Sequence, residues 1–447
     1  MEVTVTSSTT AGLKGLSVES ARRESRRVIA SSYLGSTIEF YDFLLYATAS
    51  ALVFPKVFFT GLDPLSATIA AYGTFAAGYV ARPLGGAIFG HFGDRLGRKK
   101  VLILSMLIMG LASTLIGLVP SASVIGSWGA ILLVTLRFLQ GIAIGGEWGG
   151  AALMALEHSD PKRRGFAASF VNAGGPSGAA LGTFVMGLFA ALPQEAFLSW
   201  GWRVPFLLSA ALLVVGLVIR TRISESPIFK AAIEQDRLTE AQPKVPLLSV
   251  LRRPKNLILV TLGGAAGFAL QVVLASFAVT YAVDHGAPRQ PVLYAFAVAS
   301  VLTMTMVLFM GRLSDRVGRR PLLVAGMVLF MAFLYPMFGW FSSGNVLLVF
   351  LGFVVGLACH GLIYGPLAAF VSEQFGTRAR YTGASLGYQL ATLIGAGFTP
   401  GIVAGLYGAG PDIAPVVIFL GVLTAVSVVA VLLTRESKDL DLATVEH

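Results

Sequence analysis

Charge is scarce in this chain. Only 13% of its 447 residues are Asp, Glu, Lys or Arg, while 55% are hydrophobic. A soluble domain carries about a quarter charged residues, so this composition leaves too little polar surface to cover a water-exposed fold. One cysteine, Cys359, stands alone, which excludes an internal disulfide and leaves the redox compartment open. No Walker-type glycine loop, metal-ligand cluster or nucleophile–base set occurs. ATP hydrolysis and covalent or metal-dependent catalysis therefore have no residues to run on, and no cofactor is expected. Alternating strands are missing too: Gly73–Ala87 and Ile131–Ile144 run apolar without a period of two, which argues against a β-barrel.

What is present is a succession of apolar runs long enough to cross a bilayer, which takes about 20 residues each. They fall at 28–56, 67–90, 101–120, 127–157, 166–191, 204–220, 256–283, 291–311, 321–342, 345–373, 382–407 and 413–434. The reading is an all-α polytopic membrane protein of twelve transmembrane helices. Its net charge of +10 reports orientation and not a nucleic-acid footprint. Arg22, Arg23, Arg26 and Arg27 precede the first run; Arg95, Arg98, Lys99, Lys100, Lys162, Arg163 and Arg164 lie in same-side connections. Arg312, Arg316, Arg319, Arg320, Arg378 and Arg380 continue the pattern, whereas the opposite side has little beyond Lys56, Arg203 and Arg289. Basic loops mark the cytoplasmic face, so both termini are expected there. The first run is too long for a signal-peptide core, and no cleavage site follows it.

A decapeptide occurs twice, 221 residues apart: GHFGDRLGRK at Gly90–Lys99 and GRLSDRVGRR at Gly311–Arg320. Asp94, Arg95 and Arg98 correspond to Asp315, Arg316 and Arg319. Repetition at half the chain length means a duplicated half. The polar stretch Thr221–Lys255 is the only long one inside the chain, so it divides the halves. The expected layout is a tail at 1–27, six helices at 28–220, a linker at 221–255, six helices at 256–434 and a tail at 435–447. The last thirteen residues carry no heptad pattern, so no coiled coil is expected. Gly141, Gly145 and Gly149 repeat every four residues, a spacing that lets helices approach closely in lipid.

Glu39, Asp42, Arg82, Arg137, Glu147 and His360 sit inside apolar runs, where an ionisable group is costly unless paired or hydrated and is a functional candidate by default. At 1.5 Å per residue, Asp42 lies about 21 Å and Arg137 about 30 Å from the cytoplasmic ends of their helices, so the two are expected to face each other. Glu39, Arg82 and Glu147 share a layer at about 15–18 Å. A buried carboxyl facing a fixed guanidinium can take and release a proton as access alternates, which makes Asp42, Glu39, Arg137 and Glu147 the proton-coupling candidates. Arginine keeps its charge and its planar fork suits a carboxylate, so Arg82 and Arg137 are candidates to hold a substrate acid. Static ion pairs that lock the helices are the alternative. Tyr46, Trp148, His360, Tyr364, Tyr388 and Gln389 complete the candidate pocket, with Asn172 and Gln271 beside them; packing is the plainer role for such aromatics. In the repeated loops Asp94, Arg95, Arg98, Asp315, Arg316 and Arg319 suit a latch that forms in one conformation and releases in another. Glu157 and Glu373 are the expected acceptors for its arginines.

Four further segments carry a resemblance: IEFYDFLLYATASALVFPKVFF at Ile38–Phe59, LLVTLRFLQGIAIGGEWGGAALMALE at Leu132–Glu157, AFLSWGWRVPFLLS at Ala196–Ser209 and RYTGASLGYQLATLIGAGFTP at Arg380–Pro400. With the repeated loop, they make the chain similar, over nearly its whole length, to the metabolite:proton symporter family of the major facilitator superfamily. Within that family it most resembles the shikimate permease group. The resemblance implies two pseudo-symmetric six-helix halves, alternating access, and proton-coupled uptake of a small organic acid such as shikimate or a di- or tricarboxylate, by a functional monomer in the bacterial inner membrane. It implies that Arg137 matches the superfamily's RxxQG arginine, that Asp42 is its acidic counterpart on helix 1, and that Arg82 in VARPLGG is the family's helix 2 arginine. GGPSGAALG at Gly174–Gly182 looks like the glycine–proline pattern of antiporters, which keeps exchange or export in play. Uptake of a zwitterionic osmolyte of the proline/betaine type is the other alternative, against which the missing coiled coil argues.

Overall fold

The computed structural model describes residues 18–96, 98–157, 163–221, 250–251, 254–375, 380–408, 410 and 412–438. Most of the expected linker lies outside the described residues. Those residues form twelve long helices or helix stacks and no strand. The first half has α1 (Val18–Leu52), α2 (Pro64–Leu96), α3 (Arg98–Leu118), α4 (Trp128–Gly145 continuing as Trp148–Glu157), α5 (Arg164–Ala190) and α6 (Gln194–Thr221). The second has α7 (Pro254–Ala275 and Phe277–Asp284), α8 (Arg289–Val317), α9 (Arg319–Phe341), α10 (Val346–Glu373), α11 (Arg380–Thr392, Leu393–Gly397 and Thr399–Gly408) and α12 (Ala414–Leu433).

Eight of these segments are long and apolar enough to cross a membrane on composition alone. The other four are α1 and α2, which carry interior charges, α3, whose apolar part is Ile103–Leu118, and α5, diluted by small residues. The outward surface is apolar: on α3, Leu104, Leu107, Leu111, Leu115 and Leu118 are all exposed, a stripe every three or four residues that suits lipid contact.

Packing repeats between the halves. α1–α5, α2–α4 and α3–α6 in the first half recur as α7–α11, α8–α10 and α9–α12 in the second. The halves meet along two seams, α5 with α8 and α2 with α11, which the duplication relates to each other. Breaks recur as well: α1 stops after Leu52 and α7 after Ala275, at nearly the offset of the repeated decapeptide.

Several boundaries differ from the sequence reading. α1 reaches back to Val18, so the four arginines of the expected tail lie on a helix. α6 begins at Gln194 and crosses AFLSWGWR through a π turn at Phe197–Gly201. α4 is broken at Gly146–Glu147 and α11 carries a π segment at Leu393–Gly397. Irregular turns of this kind within helices concentrate at functional sites. The repeated motif is hardly a loop: in its second copy α8 and α9 abut at Gly318, whose φ of 111° is open to glycine and strained for other residues.

The α5–α8 seam is antiparallel and fastened at both ends. At one end Asp315 of α8 accepts from the backbone N–H groups of Gly165 and Phe166, the first turn of α5, at 2.8 and 3.0 Å. At the other, Arg289 of α8 donates to Gln194 Oε1 and to the carbonyl of Ala190, at the last turn of α5, at 2.6 and 2.7 Å. Each charge meets the helix end whose partial charge it complements.

α2 and α4 touch backbone to backbone. A Cβ added at Gly141 would lie 2.0 Å from Gly78 O, and one at Gly145 2.0 Å from Arg82 O. This contact sets where Arg82 and Arg137 stand. Gly141→Ala and Gly145→Ala are therefore expected to cost at least the roughly 1–3 kcal/mol of core overpacking, read as a lower melting temperature in detergent. Gly339→Ala, with nothing within 4 Å of its added carbon, should melt at or slightly above wild type. A Gly141→Ala protein that melts with wild type would contradict the contact.

Candidate functional site

Glu39 and Asp42 are both buried on α1, one turn apart, and they have different neighbours. Asp42 accepts a hydrogen bond from Ser209 Oγ of α6 at 2.5 Å, and Ser113 of α3 lies beside the same carboxylate. Arg137, its expected partner, makes no ion pair with it among the described residues. The Arg137 guanidinium is enclosed by the rings of Phe43, Tyr46 and Phe75, with centroids 3.9, 4.2 and 4.8 Å away. Its Nη1 donates to Gln140 Oε1 at 3.0 Å, and Gln140 Nε2 donates to Ser113 Oγ at 2.6 Å. Asp42 and Arg137 are thus linked through Gln140 and Ser113 instead of touching. The reason is local: Phe43, the neighbour of Asp42, occupies the face of the guanidinium, where cation–π attraction replaces part of the lost hydration. Tyr46 belongs to this cage and donates its hydroxyl proton to Thr74 at 2.7 Å.

The layer predicted from Glu39, Arg82 and Glu147 does assemble, with an unforeseen member. Arg220, in the last turn of α6, is ion-paired with Glu147 at the break in α4. Glu39 lies in the combined field of Arg82 and Arg220. Arg82 is buried with its Cζ 4.2 Å from the Phe43 ring and 4.4 Å from that of Tyr79, and its Nε has no partner. The sequence signal for Arg220 was its place directly after the apolar GLVI, inside the run and ahead of the polar stretch. Gln140, Ser113 and Ser209 gave no such signal, since neutral side chains on helices are indistinguishable from packing residues.

The second half faces this layer with neutral groups. Trp148 of α4 stacks on Tyr388 of α11 with centroids 3.6 Å apart, so one aromatic contact joins the halves at the centre. Tyr388 and Tyr364 share a hydrogen bond between hydroxyls at 3.1 Å, and Tyr364 stacks on His360 at 4.7 Å. His360 Nδ1 contacts Gly267 O at 3.2 Å, while its Nε2 is buried without a partner. Gln389 Nε2 donates to Gly145 O, the carbonyl next to the Glu147 break, at 3.3 Å, and its Oε1 is likewise unpartnered. Asn172 of α5 donates to Tyr364 O at 2.7 Å. Apart from Tyr46 and Arg137, which stand together in the ring cage, the proposed pocket residues are brought together.

The latch is described in its second copy. Arg319 donates to Asp315 Oδ1 at 2.8 Å and to both Glu373 oxygens at 3.2 Å, so Glu373 is the acceptor expected for it. Arg316 is exposed, and among the described residues its carbonyl joins the network, accepting from Lys438 at 3.0 Å. With Lys438, two more residues of the expected tail enter unexpectedly: Ser437 donates to Glu373 at 2.6 Å, and Glu436 accepts from the N–H groups of Arg319 and Arg320 at 2.9 Å each. Asp94 and Arg95 lie at the end of α2, Arg98 at the start of α3 and Glu157 at the end of α4; their side chains lie outside the described residues.

The family model for the Major Facilitator Superfamily matches residues 33–384, with a second match at 266–445. The chain belongs to the major facilitator superfamily. This transporter is 40% identical to the inner membrane metabolite transport protein YhjE of Escherichia coli, over 92% of this chain and 94% of that one. It is 37% identical to the shikimate transporter of Escherichia coli, over 92% and 95% of the two chains, and 31% identical to the proline/betaine transporter of Salmonella typhimurium, over 92% and 84%. Its fold is similar to the crystal structure of a D-xylose–proton symporter, with a TM-score of 0.74 and 16% identity over 92% of this chain and 98% of that one. It is a multi-pass membrane transporter of metabolites and not an enzyme.

Two outcomes follow for the latch. Asp315→Asn keeps the shape but removes the charge that holds Arg319 and the α5 terminus, so the rate of conformational cycling should change about tenfold. Substrate affinity measured by calorimetry should hold, because Asp315 lies at the end of the bundle, away from the pocket. A large affinity loss with unchanged cycling would contradict the latch. Burial works against ionisation of Glu436, but backbone donors from Arg319, Arg320, Ser437 and Lys438 outweigh it and hold its carboxyl below the usual range. Its stabilisation is therefore present at neutral pH and is lost as acidification passes through the depressed value. The melting-temperature difference between wild type and Glu436→Gln should shrink on acidification; a constant difference would refute it.

Proposed function

We propose that this transporter is a proton-coupled symporter that takes up a small organic acid by alternating access, from the bacterial inner membrane with both termini in the cytoplasm. The observation that carries the reading is the set of carboxyls held with guanidiniums inside the first half: Glu39 and Glu147 in the layer of Arg82 and Arg220, and Asp42 linked to Arg137 through Ser113 and Gln140. Carboxyls held against guanidiniums in a desolvated compartment exchange protons when access or occupancy changes the balance between burial and charge. The identity to a shikimate transporter and the fold shared with a proton symporter support this reading.

Within it, the roles divide. Asp42 carries the coupling proton, with Arg137 acting on it through Gln140 and Ser113. Arg82, whose Nε has no partner, receives the substrate carboxylate. The Arg220–Glu147 pair sets the field at Glu39. The repeated motif, with Asp94, Arg95, Arg98 and Glu157 in one half and Asp315, Arg319 and Glu373 in the other, gates the cytoplasmic end. The chain is taken to work as a monomer, with the site between its own two halves.

Antiport is the second reading, on the strength of the glycine–proline run in α5. That run has a packing use that needs no exchange mechanism: a Cβ at Gly174 would lie 2.4 Å from Ser36 Cβ, and one at Gly178 2.5 Å from Thr37 O, so its glycines admit α1. Symport is the better supported.

In proteoliposomes, Asp42→Asn should abolish accumulation driven by an imposed pH gradient while sparing part of the downhill exchange. Wild-type accumulation by that variant would remove Asp42 from the proton path. Arg82→Lys keeps the charge and loses the fork, and Arg82→Ala loses both; truncating one partner of a desolvated pair costs about 2–5 kcal/mol, roughly 30-fold or more in affinity. Wild-type affinity in Arg82→Lys would leave this arginine a structural role alone.

A further inference from the structure

Two charge clusters stand inside the first half, and α6 touches both. At one, Asp42 accepts from Ser209 Oγ at 2.5 Å, with Ser113 of α3, Arg137 of α4 and its neighbour Tyr41 acting on the same carboxyl. At the other, Arg220 is ion-paired with Glu147 at the break in α4 and lies in the field of Glu39 on α1. Ser209 begins one unbroken helical segment, Ser209–Thr221, and Arg220 lies in its last turn. Three turns of 3.6 residues lead from one to the other, so both lie on one face of α6, about 16 Å apart.

That face runs along α1. Tyr41 donates its hydroxyl proton to Pro205 O at 2.7 Å, one turn before Ser209. A Cβ at Gly216 would come 3.1 Å from Ile38 Cδ1, and one at Gly35 would come 2.6 Å from Arg220 Nη2. The contacts pass back along α1 from Asp42 through Ile38 to Gly35 as they advance along α6 from Ser209 through Gly216 to Arg220, as in any antiparallel pair. The polar hold on the segment is therefore concentrated at its two ends. Between them, among the described residues, the contact with α1 is apolar.

We infer that the Ser209–Thr221 segment of α6 is the rod that couples the two clusters, with Ser209 the positioning residue at the proton-bearing end and Arg220 the end that acts on Glu147 and Glu39. A hydroxyl donates more strongly to an ionised carboxylate than to a neutral carboxyl. When Asp42 takes up a proton, the hold of Ser209 weakens, the segment shifts against α1, and Arg220 shifts against Glu147. Linkage demands the converse: whatever loosens Arg220 from Glu147 makes Asp42 easier to protonate. The inference rests on the symport proposed above, in which Asp42 carries the proton, and names the part through which that proton is felt at the second cluster. A competing route runs through α1, where Glu39 and Asp42 stand one turn apart and act on each other through space. The two routes give different results.

The test needs no transported acid. The full chain in lipid nanodiscs is titrated by infrared spectroscopy, reading the carboxylic C=O band that is missing from Asp42→Asn. Arg220→Lys keeps the charge and loses the planar grip on Glu147. It should raise the midpoint of that band by about 0.7 of a pH unit or more, roughly a fivefold gain in proton affinity, the lower end of couplings between sites. In a Ser209→Ala background the same substitution should lose most of this effect. Both replacements are smaller than the native side chains, so neither overpacks the bundle. A shift of equal size in both backgrounds puts the coupling on α1 and overturns the rod; no shift in either background overturns it too, and both results leave the symport standing. If no band that Asp42→Asn removes titrates between about pH 4 and pH 9, Asp42 carries no proton, and the symport assignment falls together with the rod.

Discussion

A guanidinium cannot give up its charge, and that single constraint organises this protein. Three arginines stand inside the first half, and each forces its surroundings. Arg137 requires the ring enclosure of Phe43, Tyr46 and Phe75 and a bond to Gln140. Arg220 requires Glu147, and Glu147 requires the broken turn of α4 that brings it there. Arg82 stands where α2 and α4 meet without side chains between them. Removing the small residues from that crossing would displace the charges, so the glycines of α4 and the ionisable groups are one design.

The two halves share a packing plan but divide the labour. In the first, buried charge is gathered at the centre; in the second, it is pushed to the end, where Asp315, Arg319 and Glu373 form a network with the residues after α12. Both arrangements follow the same rule, that a buried charge must meet a partner. They differ in what the partner is for. Pairs at the centre leave unpartnered atoms such as Arg82 Nε, whereas the terminal network binds its carboxylates at several points, as in Glu373 with Arg319 and Ser437.

The helix plan was legible because lipid demands long apolar runs, and the decapeptide exposed the duplication directly. Ion-bearing positions were legible for the same reason: Glu39, Arg82 and Glu147 are anomalies in apolar text, and depth along a helix was enough to place them in one layer. Rotation about the helix axis was not legible. Asp42 and Arg137 fell at compatible depths, yet Phe43 came between them. Arg220 closes the apolar run 204–220, where a basic residue satisfies the topology rule equally well. Neutral mediators such as Gln140 and Ser113 carry no mark in a sequence, because only contact gives them a role. The second-half pocket was readable as a list of polar and aromatic residues; the stacking of Trp148 on Tyr388 depends on a meeting of two helices from different halves.

The α5–α8 pair, fastened by Asp315 at one end and Arg289 at the other, has a mechanical consequence. Sliding one helix along the other by a turn, about 5.4 Å, would tear both fastenings together. Tilting parts only one and uses the other as its pivot. The seam therefore behaves as a beam with two alternative hinges, one at each end of α5 and each matched in sign to that end. Rocking is the cheap motion of this molecule, and translation is the expensive one.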